Sequence, residues 1–177
     1  MVNLPNLFTL LRVILTPFVS AAILQQNYRL AIVLIFLAGI SDVIDGLLAR
    51  RLKETTRVGS YFDPIADKIL LVVVYISLGL ARAMPWWMVA LVFARDLLIL
   101  AMAAYGLLFT SIRKFPPSVW GKISTFFQIS AALMVMTERA GLPAPVDLAL
   151  WLMVAATAWS GFHYAWRGIR LLSTNPD

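Results

Sequence analysis

Six apolar stretches of 16 to 24 residues constrain this chain more than any other feature: residues 7–24, 30–50, 62–80, 86–109, 122–137 and 146–166. A stretch of 18 residues makes a helix about 27 Å long at roughly 1.5 Å rise per residue, close to the thickness of a bilayer core. Between them lie short polar or proline-bearing breaks at 25–29, 52–60, 82–85, 110–121 and 138–145. The chain is 61% hydrophobic and 14% charged. An ordinary soluble domain is roughly 45–50% apolar and about 25% charged. These features predict an all-α polytopic membrane protein, with six transmembrane helices in a single domain spanning 1–177. Residues 1–24 lack a basic start, and Arg12 interrupts their apolar run, so they are read as a membrane helix rather than a signal peptide. Six spans place both termini on one side. On that side fall Arg50, Arg51, Lys53, Arg57, Arg113, Lys114, Lys122, Arg167 and Arg170, against Arg29, Arg82 and Arg139 on the other. By the positive-inside rule this makes the termini cytoplasmic.

The net charge of +6 is spread between spans, which favours anionic lipid headgroups and argues against a nucleic-acid partner. There is no cysteine, hence no disulfide framework and no thiol chemistry.

Four aspartates interrupt this apolar background within 26 residues: Asp42, Asp45, Asp63 and Asp67. The first pair is spaced i, i+3 and the second i, i+4, so on helices each pair shares a face. Gly46 and Ala49 continue the first face, and Gly59 precedes Asp63 by one turn. A charge at a membrane helix centre costs on the order of 2.5–3.5 kcal/mol, and clustered carboxylates repel one another, so something cationic must compensate. Ion pairs with Arg50 and Lys68 are the plainer explanation. Intramembrane acids are functional by default, however, and an all-oxygen site favours Mg²⁺ or Mn²⁺. One histidine and no cysteine argue against zinc. Four carboxylates on two helices suffice for two ions, and two ions can clamp a phosphoryl group. A divalent-cation channel or carrier would also need acids in the membrane. It leaves Gly46, Ala49, Arg50 and Gly59 at their spacings unexplained.

The pattern D-x-x-D-G-x-x-A-R, eight residues, then G-x-x-x-D-x-x-x-D, resembles the signature of the CDP-alcohol phosphatidyltransferase family. It is matched at Asp42, Asp45, Gly46, Ala49, Arg50, Gly59, Asp63 and Asp67. The resemblance implies an enzyme that binds CDP-diacylglycerol through its metal-held pyrophosphate. An acceptor hydroxyl attacks the lipid-side phosphorus and CMP leaves. By motif position it implies Asp42, Asp45 and Asp63 as metal ligands, and Asp67 as a further ligand and the general base. Gly46, Ala49, Arg50 and Gly59 would belong to the nucleotide pocket. It further implies a homodimer in the bacterial inner membrane, with its active site at the cytoplasmic face.

Asn6, Thr9 and Arg12 in P-N-L-F-T-L-L-R resemble the glycerol-type branch, whose usual acceptor is glycerol 3-phosphate. Asn6 as a cap and Arg12 snorkelling to the surface account equally for them. Arg95, Arg113 and Lys122 are the candidate acceptor-binding cations. Arg95 lies about ten residues into the fourth helix, and Asp96 points about 100° away from it around the helix. Branch members using glycerol 3-phosphate carry Arg-Glu where this chain has Arg95-Asp96, and often a lysine where it has Ser124. Arg-Asp is closer to the cardiolipin synthases of the family, whose acceptor is phosphatidylglycerol. Glycerol 3-phosphate is placed first, phosphatidylglycerol second, and inositol phosphate or serine behind both. His163 and the tryptophans are expected at the membrane interface.

Overall fold

The computed structural model describes residues 4–52, 59–109 and 118–174, with side chains for 11–41, 68–102, 104, 118–166 and 168. Six α-helices and no strands occur among the described residues: α1 Leu4–Leu24, α2 Tyr28–Leu52, α3 Gly59–Leu80, α4 Trp86–Phe109, α5 Val119–Arg139 and α6 Val146–Thr174. The expected number and order hold, and α4 has its expected ends. The others run longer. The break at 52–60 shrinks because α2 reaches Leu52 and α3 already starts at Gly59. Pro64 therefore stands beyond the first turn of α3. Helix α5 starts at Val119 rather than 122, because Ser118 caps it: its Oγ accepts the Trp120 N–H at 3.1 Å. Helix α6 continues to Thr174, a 29-residue helix about 43 Å long at 1.5 Å per residue.

Contacts divide the chain into two compact units. One comprises Met1–Met84 with Val135–Ala144, the other Pro85–Met134 with Pro145–Asp177. In the first, α1 packs on α2 and α3. Arg12, Thr16, Val19 and Ile23 follow one another at helical spacing and are buried on α1. Tyr28, Ala31 and Ala38 are buried on α2, and Val74, Tyr75 and Leu78 on α3. Small residues such as Ala22, Ala31 and Ala38 let helix backbones approach closely. The hydroxyls of Ser20 and Ser77 meet at 2.8 Å, joining α1 to α3. Pro17 lies inside α1, where its ring nitrogen has no proton to donate to the preceding turn.

In the second unit α4 packs on α6. Val89, Val92, Ala131 and Met153 are buried there, and Ser124 and Gln128 of α5 donate to the Thr157 hydroxyl of α6 at 3.3 and 3.2 Å. Gly168 leaves the space that the end of the Met102 side chain fills.

The outer surfaces of both units are apolar. Phe18, Val33, Phe36, Leu97, Phe126 and Trp151 are each more than half exposed. Among the described residues one helix, Val119–Arg139, is long and apolar enough to cross a membrane, with shorter apolar stretches at Leu11–Leu24, Tyr28–Ser41 and Lys68–Leu80.

Three helix ends that fall in the first unit, those of α1, α3 and α5, share one arrangement. Gln26, Arg82 and Gly141 adopt positive φ of 58°, 52° and 86°. The next residue's N–H reaches back to a carbonyl five positions earlier: Asn27 to Ala22 at 2.8 Å, Ala83 to Leu78 at 2.9 Å and Leu142 to Thr137 at 3.1 Å. This is the Schellman arrangement, in which a left-handed residue satisfies the last orphan carbonyls. Asn27 then caps α2, its Oδ1 accepting from the Leu30 N–H at 3.3 Å. Two arginines add to these ends: Arg29 donates to the Ala140 carbonyl at 3.4 Å and Arg139 to the Arg82 carbonyl at 3.3 Å. Cations suit helix C-termini because they oppose the dipole there.

A non-glycine residue in the left-handed region costs roughly 1–2 kcal/mol, part of which a glycine returns as unfolded-state entropy. Gln26→Gly is therefore expected to raise the thermal midpoint in detergent slightly. Gly141→Ala is expected to lower stability by about 1 kcal/mol, although a Cβ there meets nothing within 4 Å. Differential scanning measurements of the two variants check both signs.

Candidate active site

The aspartates stand on two helices of the first unit. Asp42 and Asp45 lie in α2 with Gly46, Ala49 and Arg50; Asp63 and Asp67 lie in α3, whose first residue is Gly59. The helical backbone is continuous through both motif halves, so the i, i+3 and i, i+4 spacings each define one helix face. Gly59, expected in a loop, is instead helical. The side chains of residues 42–67 lie outside the described residues. Both motif helices pack against α1. Arg12 of α1 is only 3% exposed and so does not snorkel to the surface. The donor set offered by Asp42, Asp45, Asp63 and Asp67 consists of carboxylate oxygens alone, which fits a hard divalent cation and not zinc or a soft metal.

The acceptor candidates belong to the second unit, apart from Arg113, which lies outside the described residues. Lys122 is exposed, in the first turn of α5. Arg95 is buried, only 7% exposed. Its NH1 donates to Asp96 Oδ1 at 2.8 Å, forming a buried ion pair. Asp96, an imperfect partner on the helical wheel because it points about 100° away, is therefore a direct one. The 100° between the two Cβ directions is bridged because the guanidinium sits on a long, flexible stem that folds back toward its neighbour. Nε and NH2 of Arg95 donate to the Ser160 hydroxyl at 3.2 and 2.9 Å, and NH2 also donates to the Gly121 carbonyl at 3.3 Å. Its guanidinium carbon lies 5.9 Å from the centre of the Tyr164 ring. Four elements of chemistry thus converge on one cation: a carboxylate, a hydroxyl, a carbonyl and an aromatic face.

Although Arg95 is in the middle of α4, it stands level with the first turn of α5, since Gly121 is only two residues past the start of that helix. Its depth along α4 is thus no measure of its depth in the bundle. Tyr164 adds a tie to the same place, its hydroxyl accepting the Ser118 N–H at 2.9 Å. Sequence reasoning missed Gly121, Ser160 and Tyr164. The available signal was the small-residue pair Ser160-Gly161 and the glycine inside an apolar helix, both marks of close helix approach. His163 lies well inside α6 rather than near its end, and its Nδ1 is buried with no hydrogen-bond partner.

The chain belongs to the CDP-alcohol phosphatidyltransferase family, whose sequence profile matches residues 2–161. It is 32% identical over 169 residues to a CDP-diacylglycerol–glycerol-3-phosphate 3-phosphatidyltransferase of Sodalis glossinidius, covering 92% of each chain. It is 28% identical over 192 residues to a cardiolipin synthase (CMP-forming) of Rattus norvegicus, covering 96% of this chain and 64% of the relative. It is also 32% identical over 132 residues to a probable cardiolipin synthase (CMP-forming) of Drosophila melanogaster, covering 74% of this chain and 40% of the relative. The chain thus spans well under the full length of the two animal proteins. Both names fall within the glycerol-type branch. The family is generally metal-dependent, in keeping with the all-carboxylate donor set.

Removing one partner of a buried ion pair leaves an uncompensated charge, which costs about 3–5 kcal/mol, whereas a lost hydroxyl contact to a charged group costs about 1.5–3 kcal/mol. Asp96→Ala is therefore expected to destabilise the folded protein more than Ser160→Ala. Detergent unfolding of the two variants side by side measures the order.

Proposed function

We propose that this chain transfers the phosphatidyl group of CDP-diacylglycerol to the hydroxyl of a glycerol-type acceptor, releasing CMP. Glycerol 3-phosphate is the first-placed acceptor, and its product is phosphatidylglycerol phosphate. The observation that carries this reading is the eight-position aspartate signature, carried on two helices that pack on a common third helix. The names of the relatives support the reaction class.

The acceptor oxygen forms a bond to the lipid-side phosphorus, the bond from that phosphorus to the CMP oxygen breaks, and the acceptor's proton leaves to Asp67. Asp42, Asp45, Asp63 and Asp67 are the residues that would hold two divalent ions, Mg²⁺ or Mn²⁺. Bound there, the ions supply neutralising charge to the phosphoryl oxygens. Arg50 pairs with nucleotide phosphate, a contact that guanidinium makes bidentately. Gly46, Ala49 and Gly59 keep that side of the helices free of bulk. Arg95, Arg113 and Lys122 serve the anionic part of the acceptor.

Phosphatidylglycerol is the second reading for the acceptor, and the buried Arg95–Asp96 pair favours it. A guanidinium already neutralised by a carboxylate attracts a phosphate dianion less than a free one does, whereas a phosphodiester anchored in the bilayer by its chains needs less.

The apolar outer surfaces support an integral membrane protein; six spans, one catalytic membrane domain over 1–177 and cytoplasmic termini complete the proposal, the last supported by the distribution of basic residues. By family resemblance the working form is a homodimer in a bacterial inner membrane.

Purified protein incubated with CDP-diacylglycerol and either glycerol 3-phosphate or phosphatidylglycerol tests the reading directly. CMP release is expected with one of them, and chelation is expected to abolish it. Asp42→Asn, Asp45→Asn and Asp63→Asn are each expected to lower the rate by about 100-fold or more while leaving the protein folded. Full turnover in excess chelator, or near-normal turnover of a variant, would contradict the corresponding assignment.

Orientation is checked by labelling Thr55→Cys in this cysteine-free chain. Protection from an impermeant reagent in intact cells is the expected result, and labelling from outside reverses the topology.

A further inference from the structure

The cluster around Arg95 contains a residue that nothing in the family signature assigns. Tyr164 of α6 is 6% exposed, and it makes two separate contacts with the candidate acceptor region. Its hydroxyl takes the Ser118 N–H at 2.9 Å, fixing the residue that caps α5. Its ring lies 5.9 Å from the Arg95 guanidinium carbon. Ser160, one turn earlier on α6, takes two N–H groups of the same guanidinium. At Gly161, between them, the Arg95 stem lies against α6, where an added Cβ would meet the stem at an ordinary 3.8 Å.

Gly121 shows how closely these parts are fitted. A Cβ at that position would stand 3.0 Å from the Tyr164 hydroxyl and 3.2 Å from Arg95 NH2. Both are tighter than ordinary van der Waals contact, so any side chain at 121 displaces the tyrosine, the arginine or both. Lys122, a second candidate cation, is the next residue in the chain. One face of α6 therefore sets the position of Arg95 from α4 and of the first turn of α5 that carries Lys122.

We propose that Tyr164 is a positioning residue for the acceptor site: it holds the Arg95 guanidinium and the Lys122-bearing turn of α5 in one fixed register for an anionic glycerol-type acceptor. This rests on the reading above that Arg95 and Lys122 serve the acceptor. In this role Tyr164 acts through Arg95 and Ser118, so it affects acceptor binding and not the transfer step. A purely structural tyrosine would instead move stability, or both substrates alike.

The test is steady-state kinetics of the full chain in detergent, with both acceptors and with CDP-diacylglycerol varied separately. Tyr164→Phe keeps the ring against Arg95 and removes only the hydroxyl that holds Ser118. It is expected to raise the KM for the productive acceptor roughly five-fold, the effect of losing one ordinary hydrogen bond. The KM for CDP-diacylglycerol and kcat are expected to change less than two-fold. Gly121→Ala is expected to raise the acceptor KM further, and by a smaller factor in the Tyr164→Phe background, because the 3.0 Å collision partner is then gone. If Tyr164→Phe accumulates poorly, Ser160→Ala releases the guanidinium from the same face and is expected to show the same KM split.

Arg95→Lys separates the two levels. If it raises the acceptor KM while Tyr164→Phe and Ser160→Ala leave it unchanged, the positioning role is overturned and the acceptor site stands. If Arg95→Lys leaves the acceptor KM unchanged, the acceptor-site reading fails, and the positioning proposal with it. Equal effects of Tyr164→Phe on both substrates, or an equal Gly121→Ala penalty in both backgrounds, would also overturn the proposal.

Discussion

Among the described residues a row of polar side chains is buried with the apolar core, and many large apolar side chains face outward. Arg12, Thr16, Ser77, Arg95, Asp96, Ser118, Ser124, Gln128, Thr157 and Ser160 are all buried, while phenylalanines, leucines and tryptophans cover the outer surfaces. In the membrane setting proposed above there is no hydrophobic drive pressing helices together, and association rests on close packing and polar contacts between helices. Each such contact is small, averaging about 0.6 kcal/mol where measured in a membrane protein. The fold therefore depends on having several of them in fitted places: Ser20 with Ser77, Ser124 and Gln128 with Thr157, Arg95 with Ser160 and Gly121. Small residues beside them provide the clearance.

The Arg95–Asp96 pair is the most demanding of these contacts. A buried guanidinium without a carboxylate is far more costly than any single hydroxyl contact can offset. The neighbouring aspartate resolves that, the Ser160 hydroxyl and Gly121 carbonyl take three more of its donors, and the Tyr164 ring lies beside it. The same neutralisation bears on function. Under the acceptor reading proposed above, a phosphate would meet a paired cation here, which would leave less charge to bind it and give Lys122 more weight.

Much of the architecture was legible in the sequence because membrane-length apolar runs have few alternatives. Six helices in the expected order follow from them, and α4 lies between Trp86 and Phe109 as expected. The ends of the others were underestimated where polar residues continue a helix. Ser118 starts α5 early because a serine cap with a tyrosine behind it outweighs the two prolines before it. Lys122 and the polar end of α6 remain helical because charged residues are good helix formers at a surface. The aspartate motif was legible to the residue, since spacing on a helix is a local property. The partner of Arg95 was not. Helical-wheel geometry places Cβ atoms, and a long side chain reaches well beyond its Cβ direction.

By itself, the sequence determined the helices, their order, the faces that carry Asp42, Asp45, Asp63 and Asp67, and membership of the phosphatidyltransferase family. All of these follow from local spacing and from the hydropathy of contiguous runs. Only the tertiary structure decided that Arg95 is paired and enclosed, that it stands level with the first turn of α5, and that Gly121, Ser160 and Tyr164 surround it. Those residues are 26 to 69 positions from Arg95 in the chain, and no local periodicity carries information about which of them a folded side chain will meet.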